Sequence, residues 1–201
     1  MVTKFPESGI FFTSDTHFGH KHILEFCHRP FKSIEEHDKI LIDNWNSVIG
    51  PDDTVFHLGD FGFGGYPFWA SIRAQLNGHI ILVIGNHDWK NLTANSRLLF
   101  DECVSQARIL IGNREVYLNH FPYLCFSHQN PKNENYSIQL FGHVHSGPLS
   151  DGSDISRLEY CFPTQYDVGV DNNNFKPISW LEVKEKIDAN IDEYLSKCSN
   201  K

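Results

Sequence analysis

Ile80-Ile81-Leu82-Val83-Ile84 is followed at once by Gly85-Asn86-His87-Asp88, an unbroken apolar run that stops on a glycine-led polar turn. Five consecutive aliphatic residues read as a strand buried on both faces, the kind found in parallel sheets. The glycine lets the chain turn sharply, so several polar side chains are delivered together at the strand's carboxyl end. Two earlier stretches follow the same pattern. Ile10-Phe11-Phe12-Thr13 runs into Ser14-Asp15-Thr16-His17, and Thr54-Val55-Phe56-His57-Leu58 runs into Gly59-Asp60.

Between the first two strands, Ser33-Ile34-Glu35-Glu36 forms a capping box, and Ile34, Leu41, Trp45 and Val48 share one face of a helix of about four turns. A second helix is expected over Phe68 to Leu76, stopped by Asn77-Gly78. Alternating strands and helices imply right-handed crossovers and a largely parallel sheet, with functional groups at the strands' carboxyl ends. The second half differs. Cys103 to Ile111, Glu115 to Asn119 and Ile138 to Phe141 read as strands without long helices between them, which predicts a more antiparallel sheet. Ser179-Trp180-Leu181-Glu182 caps a last helix, whose Ile187, Ile191 and Leu195 recur every four residues. The polar stretches Ser127 to Ser137 and Ser146 to Ser156 read as loops near the site. With no repeat or biased linker in view, a single domain over 1–201 is expected.

Composition narrows the function. The chain is 40% hydrophobic with 16 Phe, in the globular range. Its longest strongly apolar stretch, Ile80 to Ile84, is far below the roughly 18 residues of a membrane-spanning helix, and the N-terminus carries no apolar signal core. Five Cys without Cys-x-x-Cys spacing give no support to a disulfide framework or a thiolate zinc site, so a reducing cytoplasm is the expected compartment. A formal charge of −8 argues against a wide basic surface for long nucleic acid. Two divalent ions would still concentrate positive charge at one spot, where a phosphate could bind.

Asp15, His17, Asp60, Asn86, His120, His143 and His145 are seven metal-ligand types in five short blocks. Oxygen donors with imidazoles suit manganese, iron or zinc, and a carboxylate can bridge two ions roughly 3.5–4 Å apart. Asp60 is the natural bridge. One ion would take Asp15, His17 and one distal histidine; the other would take Asn86, His120 and the remaining one. His143 and His145, two apart on extended chain, point the same way and so can serve both. Such a pair generates hydroxide near neutral pH and clamps phosphoryl oxygens, so hydrolysis of a phosphoester follows, with His87 as the candidate acid for the leaving group.

The blocks Asp-x-His, Gly-Asp, Gly-Asn-His-Asp, a histidine and Gly-His-x-His together resemble the calcineurin-like metallophosphoesterases, over about residues 10 to 171. The opening Asp15-Thr16-His17-Phe18-Gly19-His20 looks most like small stand-alone bacterial and phage members. The resemblance implies a four-layer α/β/β/α sandwich of two mixed sheets flanked by helices. It also implies two divalent ions, manganese foremost with iron, zinc or magnesium as alternatives. One ion would sit among Asp15, His17, Asp60 and His145, and the other among Asp60, Asn86, His120 and His143, with His87 as the catalytic histidine. Two departures matter. Phe61-Gly62-Phe63-Gly64-Gly65 follows Gly-Asp where serine/threonine protein phosphatases carry Asp and Arg-Gly, and Asn119 precedes His120 where Gly or Ser is common.

The expected substrate is a small phosphoester, a phosphodiester in preference and possibly a nucleotide, attacked by hydroxide bridging the two ions. The alternatives are a nuclease acting on nucleic-acid ends and a non-catalytic scaffold of the same fold. His20 and Arg29 are candidate substrate contacts, against a reading as surface charge. Phe61, Phe63, Tyr66 and Trp69 have two roles open, core packing and base stacking, and the high aromatic content favours the core.

Overall fold

The structure is a computed structural model describing residues 2–149 and 154–199, so part of the loop expected over Ser146 to Ser156 lies outside the described residues. The strands are β1 (Thr3–Phe5), β2 (Ile10–Thr13), β3 (Thr54–His57), β4 (His79–Val83), β5 (Glu102–Val104), β6 (Ala107–Ile111), β7 (Arg114–Leu118), β8 (Ile138–Phe141), β9 (Gln165–Asp167) and β10 (Ile178–Ser179). The α-helices are α1 (Ile23–Phe26), α2 (Ile34–Val48), α3 (Gly65–Arg73), α4 (Ala94–Arg97) and α5 (Trp180–Ser199). They make two five-stranded mixed sheets flanked by helices, ordered β10-β2-β3-β4-β5 and β1-β6-β7-β8-β9. This is the α/β/β/α sandwich class that the family resemblance implies.

The continuous apolar runs are explained by burial on both faces of the first sheet. Ile10, Phe12, Phe56 and Val83 point into the core between the sheets, where they meet Ile109, Val116, Leu118 and Leu140. Their neighbours Val55, Ile80 and Leu82 point the other way, against Leu41 and Trp45 of α2 and Trp69 and Ile72 of α3. Each such side chain contributes about 1.5–3 kcal/mol by leaving water. Ser33 caps α2 as its pattern predicts, its Oγ accepting the Glu36 N–H at 3.2 Å. α3 starts and stops earlier than Phe68 and Leu76. Gly64, at φ 90°, begins it, and the Arg73 guanidinium donates to the carbonyls of Leu76, Gly78 and Leu99, fastening the chain beyond the helix into a turn. At α5 the Ser179–Glu182 capping box closes in both directions, and Trp180, Val183, Ile187 and Ile191 bury their stripe in the core between the sheets.

The second sheet departs from the antiparallel expectation. Only β6 and β7 pair antiparallel within it; β1–β6, β7–β8 and β8–β9 are parallel. Parallel pairing is usually read from intervening helices, and here the crossovers run through the loop 119–137 and a stretch holding a short 3-10 helix, Ile155–Tyr160. The stretch Cys103 to Ile111 is two strands, β5 completing one sheet and β6 entering the other. The carboxyl ends of β2, β3 and β4 and of β7, β8 and β9 are brought to one place. A parallel bridge between Ser14 and Gly169, with the Val170 N–H donating to the Ser14 carbonyl at 3.0 Å, stitches the two sets together.

Candidate metal centre

Asp15 and His17 follow β2, Asp60 follows β3, Asn86 and His87 follow β4, His120 follows β7, and His143 and His145 follow β8. The motif glycines let these loops touch. A Cβ on Gly85 would lie 2.3 Å from Asp60 Oδ1, and one on Gly142 would lie 2.1 Å from Ser14 Oγ and 2.3 Å from Asp15 Oδ2. The Gly142 clash is with a neighbouring loop that carries Asp15, so relief requires moving that carboxylate. Gly142→Ala is expected to lower the melting temperature by several degrees and weaken Mn²⁺ binding about tenfold or more, checked by thermal unfolding and calorimetry. Unchanged values in both would contradict the close approach.

The backbone itself is specialised. Asp15, His17, Asp60, His143 and His145 all have φ between 48° and 71°, the left-handed region that side chains other than glycine rarely adopt. Their side chains are thereby turned in from the strand ends rather than alternating across the sheet.

Buried hydrogen bonds hold these turns in place. The His57 Nδ1 accepts from the Gly59 N–H at 3.3 Å, which puts its proton on Nε2, 2.9 Å from Thr16 Oγ1; that hydroxyl donates onward to the Phe61 carbonyl at 2.8 Å. Burial keeps His57 neutral, pushing its pKa down to about 3. Asp88 binds three backbone N–H groups, of Asp60, Phe61 and Gly85, at 2.8–2.9 Å, tying the β3 loop to the β4 loop. Burial and the nearby Asp60 push Asp88 up to about 7.

At the centre, Asp60 Oδ2 lies 3.6 Å from His17 Nε2 and 3.5 Å from His120 Nε2. Its Oδ1 accepts the His87 N–H at 2.8 Å. Asn86 Oδ1 is 2.8 Å from His120 Nε2, and His120 Nδ1 is 2.8 Å from the Leu58 carbonyl. A carbonyl can only accept, so Nδ1 carries the proton and Nε2 faces Asp60 and Asn86. His145 is set in the same way, Nδ1 against Asp171 Oδ2 at 2.9 Å and Nε2 toward Asp15 Oδ1 at 3.9 Å. A carboxylate or carbonyl behind an imidazole is the usual partner of a metal-binding histidine. His143 donates its backbone N–H to Asp15 Oδ2 at 2.9 Å, and its ring lies 5.1 Å from that of His120.

The electrostatics suit a cation. Burial opposes charge on His120, but Asp60 and Asp15 outweigh it and push it up to about 9; for His145, Asp15 and Asp171 overcome burial and push it to about 11. His17 goes the other way, held well below its ordinary value by burial and by the charge near His145 and Arg29. Three clusters have ligand atoms within 4.8 Å of one another: Asp15–His17–His145, Asp15–Asp60–His120 and Cys27–His145–Asp171. Five of the seven expected ligands, Asp15, His17, Asp60, His120 and His145, fall in these clusters; Asn86 adjoins them through His120, and the His143 ring lies beside that of His120 with its Nε2 3.6 Å from Asp154 Oδ2. The structure adds Cys27, a buried thiol that cysteine spacing did not mark. The donor set fits divalent ions: Asp15 Oδ1, His17 Nδ1 and His17 Nε2 are buried with no hydrogen-bond partner, a costly arrangement without a cation among them.

Of the outlying candidates, His20 lies at the site and Arg29 lies behind it. The His20 ring stacks on Phe63 at 4.1 Å and stands 5.3 Å from His17 and 6.3 Å from His87, its Nδ1 buried and unpartnered. Burial and the neighbouring His87 push it down to about 4. Arg29 is only 4% exposed, and its donors are taken up inside the protein. Nε and one terminal nitrogen grip Asp171 at 2.8 and 2.7 Å; the terminal nitrogens also reach the Thr16 and Asp15 carbonyls at 3.2 and 2.7 Å and His37 Nε2 at 2.8 Å. The expected role as a phosphate contact leaves no donor free to perform it. Phe61 and Trp69 are fully buried in the core, so neither is open to a base. The sequence did not mark Asp171, Thr16 or His57; the one available signal was a histidine closing an otherwise apolar strand.

No protein-family model matches the chain. The Gene 66 protein of Mycobacterium phage L5 is 31% identical over 191 residues, covering 82% of this chain and 87% of its own. The crystal structure of protein AQ665 of Aquifex aeolicus, described as of unknown function, superposes over 88% of this chain and 97% of its own, with TM-score 0.65 and 28% identity. A structure described as a novel archaeal phosphodiesterase superposes more loosely, with TM-score 0.44 and 18% identity over 81% of this chain and 83% of its own.

Proposed function

Since this chain belongs to the family of the Gene 66 protein of Mycobacterium phage L5, a name that carries no chemistry, its function is read from the loop cluster, and we propose a binuclear metal-dependent phosphohydrolase. The supporting observation is the convergence of buried, unpartnered ligand atoms on Asp15 and His17 beside the Asp60–His120 contact. Asp15, His17, Asp60 and His145 would hold one ion and Asp60, Asn86, His120 and His143 the other, manganese foremost. The bound ions would supply Lewis-acid activation of water and charge stabilisation on the phosphoryl oxygens.

The chain's own residues do the rest. Asp171 and the Leu58 carbonyl hold His145 and His120 in the tautomer that presents Nε2 inward. His87 is exposed at the lip, its ring 5.5 Å from His17 and its backbone fixed by Asp60 Oδ1, where it can protonate a departing alkoxide. His20, held against Phe63, faces the same side and contacts the phosphoester. The substrate is a small phosphoester, a phosphodiester in preference, cleaved by direct attack of water without a covalent phosphoenzyme.

The test is turnover of 4-nitrophenyl phosphate, bis(4-nitrophenyl) phosphate and a single-stranded oligonucleotide, with Mn²⁺, Mg²⁺ or Zn²⁺. No metal-dependent turnover on any of them would favour a non-catalytic scaffold, and the oligonucleotide alone would favour a nuclease. His87→Ala is expected to lose about 10²–10⁴-fold on an alkyl ester with a poor leaving group, and far less on a nitrophenyl ester. Equal losses on both would remove the acid role.

A further inference from the structure

The wall of the centre on the His143 side continues into an open trough of about 470 Å³. Its lining includes Phe121, Leu124, Tyr160, Arg157 and His143, whose Nε2 lies 3.6 Å from Asp154 Oδ2. Phe121 meets the His143 ring edge-on at 4.6 Å and the His120 ring at 4.9 Å, so the aromatic surface is continuous with the ligand histidines. Phe121, Leu124 and Tyr160 are 44%, 79% and 68% exposed. Large apolar side chains left open together in a concavity mark a binding site, and the size lies within the roughly 300–1,000 Å³ of small-molecule pockets.

We propose that this trough binds a planar aromatic substituent of the phosphoester, of which a nucleobase is the biological example; this rests on the phosphohydrolase reading above. The geometry favours a small flat group over a protein partner because the surface is concave and includes a candidate metal ligand in its lining. A phosphoryl group among Asp15, Asp60 and His120 would direct its substituent along His143 into the trough. Phe121 and Tyr160 offer ring faces for stacking, which tolerates any base because every base has a π-face. Arg157, whose side chain is 69% exposed and 3.7 Å from Asp154, lines the trough as a planar cation able to cover an aromatic ring. Of the aromatics in and after the glycine-rich turn, Phe61 and Trp69 are buried in the core and Phe63 stacks on His20, so the trough residues form a separate aromatic surface.

Two non-hydrolysable probes test it, phenylphosphonate and methylphosphonate, titrated calorimetrically into Mn²⁺-loaded protein. Phenylphosphonate is expected to bind about tenfold or more tightly, and Tyr160→Ala and Phe121→Ala are each expected to bring that ratio within about threefold. Equal affinity in the wild type, a ratio unchanged in both variants, or Mn²⁺ binding without either phosphonate would overturn the trough while leaving the metal centre intact. Absence of any Mn²⁺ binding would instead overturn the metal-centre reading, and this inference with it.

Discussion

Asp60→Asn is expected to reduce Mn²⁺-dependent hydrolysis by roughly 10³-fold, the upper end of what losing one preorganised electrostatic partner costs. The substitution is nearly isosteric, and Asp60 is the carboxylate whose Oδ2 lies within 3.6 Å of both His17 and His120. Removing its charge takes one negative group from between two candidate sites at once. The metal-free fold should lose some stability, because against the opposing effect of burial His120 and His87 hold the Asp60 carboxylate below its ordinary value, and relief of the repulsion with the buried Asp88 offsets only part of that loss. The expected pattern is therefore a modestly lower melting temperature without metal, together with loss of the upward shift that saturating Mn²⁺ gives the wild type. Full activity in the variant would remove Asp60 from the bridging position.

Arg29→Ala is expected to destabilise the protein by about 3–5 kcal/mol, the cost of leaving a buried carboxylate without its partner. That corresponds to a fall of roughly 10 °C in melting temperature for a chain of this size. Asp171 is pulled well down, to about 2, and although burial resists its charge, Arg29 is the foremost group sustaining it. The same guanidinium braces the carbonyls of Asp15 and Thr16, so the β2 loop loses its support as well. Arg29→Lys should recover little, because an ammonium cannot grip Asp171 with two parallel bonds. A substrate-contact role predicts the opposite pattern, unchanged stability with a raised KM. Urea unfolding beside steady-state kinetics separates the two.

Both outcomes bear on what a sequence can and cannot reveal. The strands at Ile10–Thr13, Thr54–His57 and His79–Val83 and the caps at Ser33 and Ser179 were legible because each depends on local chemistry: apolar runs, glycine turns, a serine three residues before a glutamate. The five blocks of candidate ligands were legible for the same reason. Arg29 misled because its partners are distant in sequence, Asp171 being 142 residues away. An arginine near a candidate metal-ligand motif looks the same in sequence whether it faces solvent or a buried carboxylate. The direction of β8 and β9 was hidden for a related reason, since irregular crossovers leave no periodic pattern.

The left-handed backbone at Asp15, His17, Asp60, His143 and His145 has an energetic side. Each such residue stores about 1–2 kcal/mol of steric strain. Five of them together rival the whole net stability of an ordinary domain, about 5–15 kcal/mol. The site is therefore a reservoir of stored conformational energy, held in check by Arg29, Asp88 and the His57–Thr16 relay. Glycine at the half-buried His143 would release part of it, yielding a protein that tolerates heat better while losing a candidate ligand, whereas at His17, 1% exposed, the cavity left by the imidazole would outweigh the relief. Stability and chemistry here draw on the same few dihedral angles, so gains in one are taken from the other.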